Sequence, residues 1–336
     1  MHIPDNYLSP VTCAAMAAVM VPVWAVSVKK VRKDMSTENI SKIGIGAAYS
    51  FAGMMFNVPV PGGTTGHAVG ATLIAAVIGP HAACLAVSVA LLLQALLFGD
   101  GGVLAFGANC FNMAFVMPFV GYFFASLLKK IIKGKKKDLI STAIGSYIGI
   151  NTAAFMAALE FGIQPYLFKD ASGQPLYCPY GLNVSIPAMA LAHLTFAGAA
   201  EVIYTAAVMA FLKKTSPAVL YINRDAEIEN VNRSMNHDGK KTKDISWIPL
   251  LGLIVLTPLG LIASGTAWGE WGADEIAATG IGFTPEKMKN GINYTALFPD
   301  YSLSGLPEAF GYVLSAMIGV AFLVIVFKLL SLIKKK

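Results

Sequence analysis

Apolar stretches recur along almost the whole chain, at approximately 11–28, 43–58, 67–79, 81–98, 110–128, 139–161, 187–212, 247–264 and 309–333. Most approach the roughly 20 residues that carry a helix across a bilayer. In hydrocarbon the backbone must satisfy its own N–H and C=O groups, which leaves helices and closed barrels as spanning structures. Charged residues make up only 13% of the 336, about half the share of a soluble domain. Together these features imply an all-α polytopic membrane protein with about nine transmembrane helices. The third stretch, between Gly66 and Gly79-Pro80, is short for a crossing and is expected to be tilted or partly irregular.

Lys and Arg accumulate in cytoplasmic loops. Here they follow the first stretch (Lys29 to Lys42), the fifth (Lys129 to Lys137) and the seventh (Lys213 to Lys243), and they close the chain (Lys328 and Lys334 to Lys336). Lys169, Lys287 and Lys289 are the exceptions among 25 basic residues. Nine spans put every cluster on one side, so the N-terminus is expected outside and the C-terminus in the cytoplasm, in the cell inner (plasma) membrane. The net charge of +6 flanks apolar helices instead of forming an aromatic-studded basic patch, which points to the lipid bilayer and not to nucleic acid. The first stretch has its basic cluster after it, not before it, and is expected to be retained instead of cleaved as a signal peptide. Cys13, Cys84, Cys110 and Cys178 show no paired spacing and read as small packing residues.

The most polar stretch, Tyr221 to Asp244, divides the chain into a seven-helix body (1–215), a cytoplasmic linker (216–246) and a two-helix segment (247–336) with an external loop at about 265–306. Motifs of several enzyme classes are absent. No phosphate-binding Gly-x-x-x-x-Gly-Lys-[Ser/Thr], no His-Glu-x-x-His and no Gly-x-Ser-x-Gly occurs, so the chain is expected neither to hydrolyse ATP nor to act as a protease.

The chain opens Met1-His2-Ile3-Pro4. A histidine in second place lets a free α-amine, the His2 amide nitrogen and the His2 imidazole close two fused chelate rings around one metal ion. A further imidazole, such as His67 in Pro61-Gly62-Gly63-Thr64-Thr65-Gly66-His67, would complete a square-planar nitrogen set suited to Ni(II) or Cu(II) and open to Co(II). On spacing alone the ordinary reading of His2, an exposed or packed residue, is the commoner one. Glu160, His193 and Glu201 lie within apolar stretches, where polar groups need a partner or a purpose; pairing among them is read ahead of ion transport. The loops at 57–66 and 99–109 are expected to fold over the N-terminus. Asn57, Asn109 and Asn112, with Thr65 beside them, would then orient the ligating rings by hydrogen bonds, or the amides would simply cap helix ends.

Several of these segments together carry a resemblance. Met1-His2-Ile3-Pro4-Asp5, Asn57-Val58-Pro59-Val60, Gly63-Thr64-Thr65-Gly66-His67, Gln94 to Asn112, and His193 with Glu201 resemble the CbiM/NikM family over about 1–215. That family comprises the substrate-binding membrane (S) components of energy-coupling-factor cobalt and nickel importers. The resemblance implies that the Met1 amine, the His2 amide and imidazole nitrogens, and His67 hold Ni2+ or Co2+ as transported substrate. It further implies a CbiQ/NikQ-like transmembrane T component and two CbiO/NikO-like cytoplasmic ATPase subunits as partners. The tail resembles the small N component, or PDGLE-type segment, fused to some members, although Pro299-Asp300-Tyr301-Ser302-Leu303 stands without a literal Pro-Asp-Gly-Leu-Glu string. Asn6 occupies a place where the family commonly has glycine, and asparagine tolerates positive φ. The alternative is a secondary metal-ion transporter driven by an ion gradient through Glu160, His193 and Glu201, against which the lack of an evident inverted repeat counts. Replacing Glu201 by Gln is expected to stop such a carrier and to spare metal binding in the chelate reading.

Overall fold

In the computed structural model, residues 1–33, 37–60, 64–216, 220–223, 247–263 and 266–333 are described. Among them, six helices are long and apolar enough to cross a membrane: α1 (Pro10–Lys33), α4 (Pro80–Phe98), α5 (Phe106–Ile131), α6 (Lys137–Leu167), α7 (Leu182–Thr215) and α9 (Glu308–Ile333, apolar over Glu308–Leu332). The other three of the nine expected stretches form shorter or more polar helices: α2 (Thr37–Met54), α3 (Ala71–Ile78) and α8 (Trp247–Ile262). Eight residues of α3 span only about 12 Å at 1.5 Å per residue, and Ala71 to Ala76 are all buried. An apolar run reads the same in sequence whether lipid or protein covers it, and much of α3 is covered by protein. The rest of the described chain is mostly helical, with one small exception. Between α2 and α3 lies an antiparallel ribbon of β1 (Asn57–Val60) and β2 (Thr64–His67), in which Asn57 pairs with His67 and Val58 with Gly66.

Burial separates central from peripheral helices. The apolar window of α4 is 67% buried inside the protein and that of α1 only 17%, so α4 runs through the middle and α1 faces outward. Small residues set the close approaches, as is common where lipid supplies no hydrophobic drive between helices. Gly145 and Gly149 of α6 lie against the carbonyls of Gly121 and Met117 on α5. Gly44 of α2 lies under Phe327 and Gly319 of α9 under Phe51, while the Tyr312 hydroxyl donates to Met55 O at 2.9 Å. The tail helix therefore packs along α2 of the body. The four cysteines are buried and unbridged.

The two ends differ. At one, Lys213 Nζ meets Asp138 Oδ2 at 2.8 Å and Lys135 O at 2.7 Å, and Lys129 bonds Ile222 O and Asn223 Oδ1, tying α5, α6 and α7 to a short 3-10 turn at Tyr221–Asn223. Of the linker expected at 216–246, residues 217–219 and 224–246 lie outside the described residues. At the other end, Lys287 N donates to Leu176 O and Cys178 N to Tyr7 O. Those bonds bring the loops bearing Lys169 and Lys287 beside the N-terminal segment.

Candidate metal centre

The N-terminal segment is threaded into the protein. Met1, His2, Ile3, Tyr7 and Leu8 are each at most 4% exposed. Ile3 exchanges both main-chain bonds with the Asn109 side chain, its N–H donating to Oδ1 (2.7 Å) and its carbonyl accepting from Nδ2 (3.0 Å). Gly102 N donates to Ile3 O. The Asp5 carboxylate accepts from the amides of Val103, Leu104 and Ala105 at the start of α5, where the exposed N–H groups and helix dipole favour an anion. Asn6 sits at φ 70, the left-handed conformation expected of it. Its side chain exchanges bonds with the backbone of Ile292. Ser9 then caps α1, its Oγ accepting from Thr12 N at 3.0 Å with Pro10 in the first helical position.

His67 arrives from the other direction, at the end of β2 and immediately before the turn into α3. Its ring centroid lies 4.9 Å from that of His2, with 32° between the planes. His67 Nδ1 is 3.2 Å from Ala68 O, and His67 Nε2 is buried without a hydrogen-bond partner. Both His2 ring nitrogens are likewise buried and without a hydrogen bond, although Nδ1 stands 3.0 Å from Asp100 Oδ1. Buried polar atoms are normally paired, so the open Nε2 atoms of His2 and His67 in one place mark a site built for something they can bind. Burial, reinforced by the neighbouring N-terminal charge, lowers the His2 imidazole to about 4 and the His67 imidazole well below its usual value. Both rings are neutral, with lone pairs free, at neutral pH.

The Met1 nitrogen lies 2.9 Å from Glu270 Oε1. Beside His2, Tyr301 donates to Asp100 Oδ2 (2.5 Å), and Gln94 Nε2 donates to Tyr301 (2.8 Å) and to Asp100 (3.1 Å). Burial raises the Asp100 carboxyl, partly offset by the Tyr301 bond. Tyr301 reaches this position through a turn with Asp300 at φ 52 and Tyr301 at φ 58, a conformation rare outside glycine. Gly101, at φ 86, lies against the pair: a side chain there would meet Asn109 Nδ2 at 3.1 Å and His2 Cδ2 at 3.3 Å. Three π-helical turns, Gln94–Phe98, Cys110–Val116 and His193–Ala197, interrupt α4, α5 and α7. Such bulges are frequent at functional sites; here they carry Gln94, Asn112 and His193.

Met1, His2 and His67, separated in sequence by two helices and most of a ribbon, are thus brought together. The polar residues around them do different work from that expected. Asn109 holds the backbone of Ile3, not an imidazole. Asn112 Nδ2 donates to Glu160 Oε2 at 2.9 Å. Asn57 faces His67 across the ribbon, and Thr65 is buried opposite Pro59. Glu160, His193 and Glu201 do not pair with one another: His193 Nδ1 is 2.9 Å from Met189 O, and Glu201 accepts from Val69 and Gly70. Sequence reasoning passed over Asp100 and Glu270 as site residues. Asp100 lay inside a quoted motif, but nothing in the sequence pairs Glu270 with Met1 across 269 positions. Among the described residues, no group of three or more His, Cys, Asp or Glu side chains could hold a metal.

The fold is shared with solved structures. A truncated transition metal transporter aligns at TM-score 0.61 with 55% identity, covering 64% of this chain and 99% of its own. A second transition metal transporter aligns at the same score and identity, with 93% of it covered. The long apolar helices and these neighbours define a multi-pass membrane protein of the metal-transport class, not an enzyme. The chain belongs to the CbiM family: the cobalt uptake substrate-specific transmembrane region matches residues 2–219, and a PDGLE domain matches 243–336. The probable fused nickel transport protein LarMN of Lactiplantibacillus plantarum is 51% identical over 95% of this chain and 94% of its own length. The fused nickel transport protein NikMN of Rhodobacter capsulatus is 45% identical over 96% and 95%. A cobalt transport protein CbiM of Streptococcus sanguinis is 35% identical over 51% of this chain and 69% of its own.

Proposed function

We propose that this chain captures Ni2+, in preference to Co2+, on the outer face of the inner (plasma) membrane and serves as the S component of an energy-coupling-factor importer. The ion is held by the α-amine of Met1, the amide nitrogen and Nδ1 of His2, and Nε2 of His67. The observation that carries this reading is the meeting of two neutral, buried imidazoles with open nitrogens, 4.9 Å apart, beside the Met1 nitrogen. Fused rings fix the amine, amide and imidazole of the first two residues in one plane, with the amide in the middle. His67 then takes the corner opposite the amide. Binding displaces the protons of the amine and the amide, and a square-planar nitrogen set favours nickel. The relatives that match nearly the whole chain are nickel transport proteins by name.

In this reading 1–215 is the metal-binding unit, 216–246 a cytoplasmic linker and 247–336 an N-component-like segment. Energy comes from a separate T component and two ATPase subunits. Titration of purified, untagged protein with Ni2+ and Co2+ tests the site: wild type should bind Ni2+ more tightly, and His67→Ala should lose at least about 100-fold, beyond the ~10–100-fold typical of an outer partner. Equal binding by the two proteins removes His67 from the site. In proteoliposomes, uptake without the ATPase subunits would instead favour the ion-gradient carrier.

A further inference from the structure

His67 keeps Nε2 open while Nδ1 is engaged by the turn that follows it. Nδ1 lies 3.2 Å from the carbonyl of Ala68. That carbonyl and the N–H of Val69 are two ends of one peptide group. The Val69 N–H in turn donates to Glu201 Oε2 at 2.8 Å, and the Gly70 N–H donates to the same oxygen at 3.0 Å. Glu201 is fully buried on α7, and its other oxygen is 3.4 Å from Thr205 Oγ1.

Hydrogen bonds in series polarise one another. A carboxylate drawing on the Val69 N–H makes the Ala68 carbonyl a better acceptor for the imidazole N–H. This is the familiar carboxylate–imidazole partnership of metal sites, with a peptide inserted between its members. The rest of the turn is clasped so that the relay cannot drift. Ser50 Oγ donates to Val69 O at 2.8 Å, and Tyr204 anchors to Tyr49 O at 2.8 Å while its ring lies on Gly70. Gly70 has φ 71, so a side chain there would be strained as well as crowded by that ring.

We propose that Glu201 is a positioning residue for His67: through the Ala68–Val69 peptide it sets the tautomer and direction of the ring so that Nε2 faces His2. The proposal rests on the chelate reading above and reverses one expectation drawn from it, that Glu201→Gln spares metal binding. The amide of Gln is a weaker acceptor and carries no charge, so the relay is loosened while the side chain keeps its shape.

The test uses the full chain, untagged and purified, with Ni2+ as the probe. It reads both the dissociation constant and the visible d–d absorption of bound nickel in wild type, E201Q, H67A and the E201Q/H67A double variant. E201Q should weaken Ni2+ binding by about 10–100-fold and move the nickel spectrum toward that of H67A. In the H67A background E201Q should add nothing, since its route to the metal is already gone. A wild-type constant and spectrum in E201Q overturns the proposal, and so does an equal loss in both backgrounds, which would mark a general effect on the fold. Should E201Q fail to fold, E201D keeps the charge but withdraws it by one methylene. A smaller shift toward the H67A spectrum supports the relay, and an unshifted spectrum overturns it. Wild type and H67A binding Ni2+ alike would overturn the chelate itself and this proposal with it, whereas loss in H67A with none in E201Q overturns this proposal alone.

Discussion

Residues 1–9 are held by bonds from loops and from α5 and α6, whereas the turn at 67–70 is held chiefly by Glu201 and Tyr204 of α7 and Ser50 of α2. The first segment is fixed through its backbone: Ile3 by Asn109 and Gly102, Tyr7 by Cys178, Ser9 N by Gln164. It can lose one bond and keep its path. The second has few bonds, each aimed at a particular peptide, and losing one redirects a ring. The N-terminal segment, however, ends at the amine on which the proposed chelate depends. Redundancy protects its course but not its tip.

The largest expected effect breaks that tip. Acetylating the Met1 amine removes that nitrogen and the first chelate ring. Ni2+ binding should fall below detection in calorimetry while the purified protein keeps its thermal midpoint. Retained binding would take the amine out of the site. Next comes the course of the segment. Replacing Asp5 by Ala leaves the N–H groups of Val103, Leu104 and Ala105 without their acceptor, a cost of about 1–3 kcal/mol for unpaired groups. The midpoint should drop by several degrees and Ni2+ affinity by no more than about tenfold, because Asn109 still grips Ile3. A loss as large as that of H67A would show the segment to be less redundant than its bonds imply.

Much of this was legible in the sequence, and the exceptions have physical causes. The apolar runs located the long helices, but hydropathy could not distinguish α3, buried in protein, from a crossing helix. Met1, His2 and His67 were singled out through chelate chemistry and motif order, and the folded chain brings the rings of His2 and His67 to 4.9 Å of each other. Asn6 was recognised as a left-handed turn because few other residues accept one. The partners of the polar groups were not legible, since they depend on which carbonyl or amide the folded chain presents. Asn109 turned out to serve a backbone and Glu201 a turn, and neither is visible from spacing. The tail was the hardest to read. Tyr301 occupies a backbone conformation that normally calls for glycine, so its turn hides behind an unexpected residue, and the approach of Glu270 to Met1 leaves no local trace.

Acidity sharpens the contrast in a different way. Burial lowers the His2 imidazole from 6.5 to about 4, so between those values the unfolded chain takes up a proton that the folded chain does not. Stability is therefore lost as pH falls from about 6.5 toward 4. Metal-free wild type should lose a few degrees more of its midpoint over that window than His2→Asn does, and a parallel decline would show that His2 is not held neutral.

The smallest effect concerns Glu270, where the tail meets the tip. Its carboxylate lies 2.9 Å from the Met1 nitrogen and is 20% exposed. A partly solvated pair of this kind contributes about 0–1 kcal/mol, equivalent to at most about fivefold in affinity. The direction is the informative part. The carboxylate favours the protonated amine, which has no lone pair to give, while the metal requires the free amine; the two compete for one nitrogen. Glu270→Gln should therefore raise Ni2+ affinity slightly. A fall in affinity would mean that Glu270 contributes more by delivering the N-terminus than it withholds by pairing with it. The tip would then be as dependent on one side chain as the turn is on Glu201.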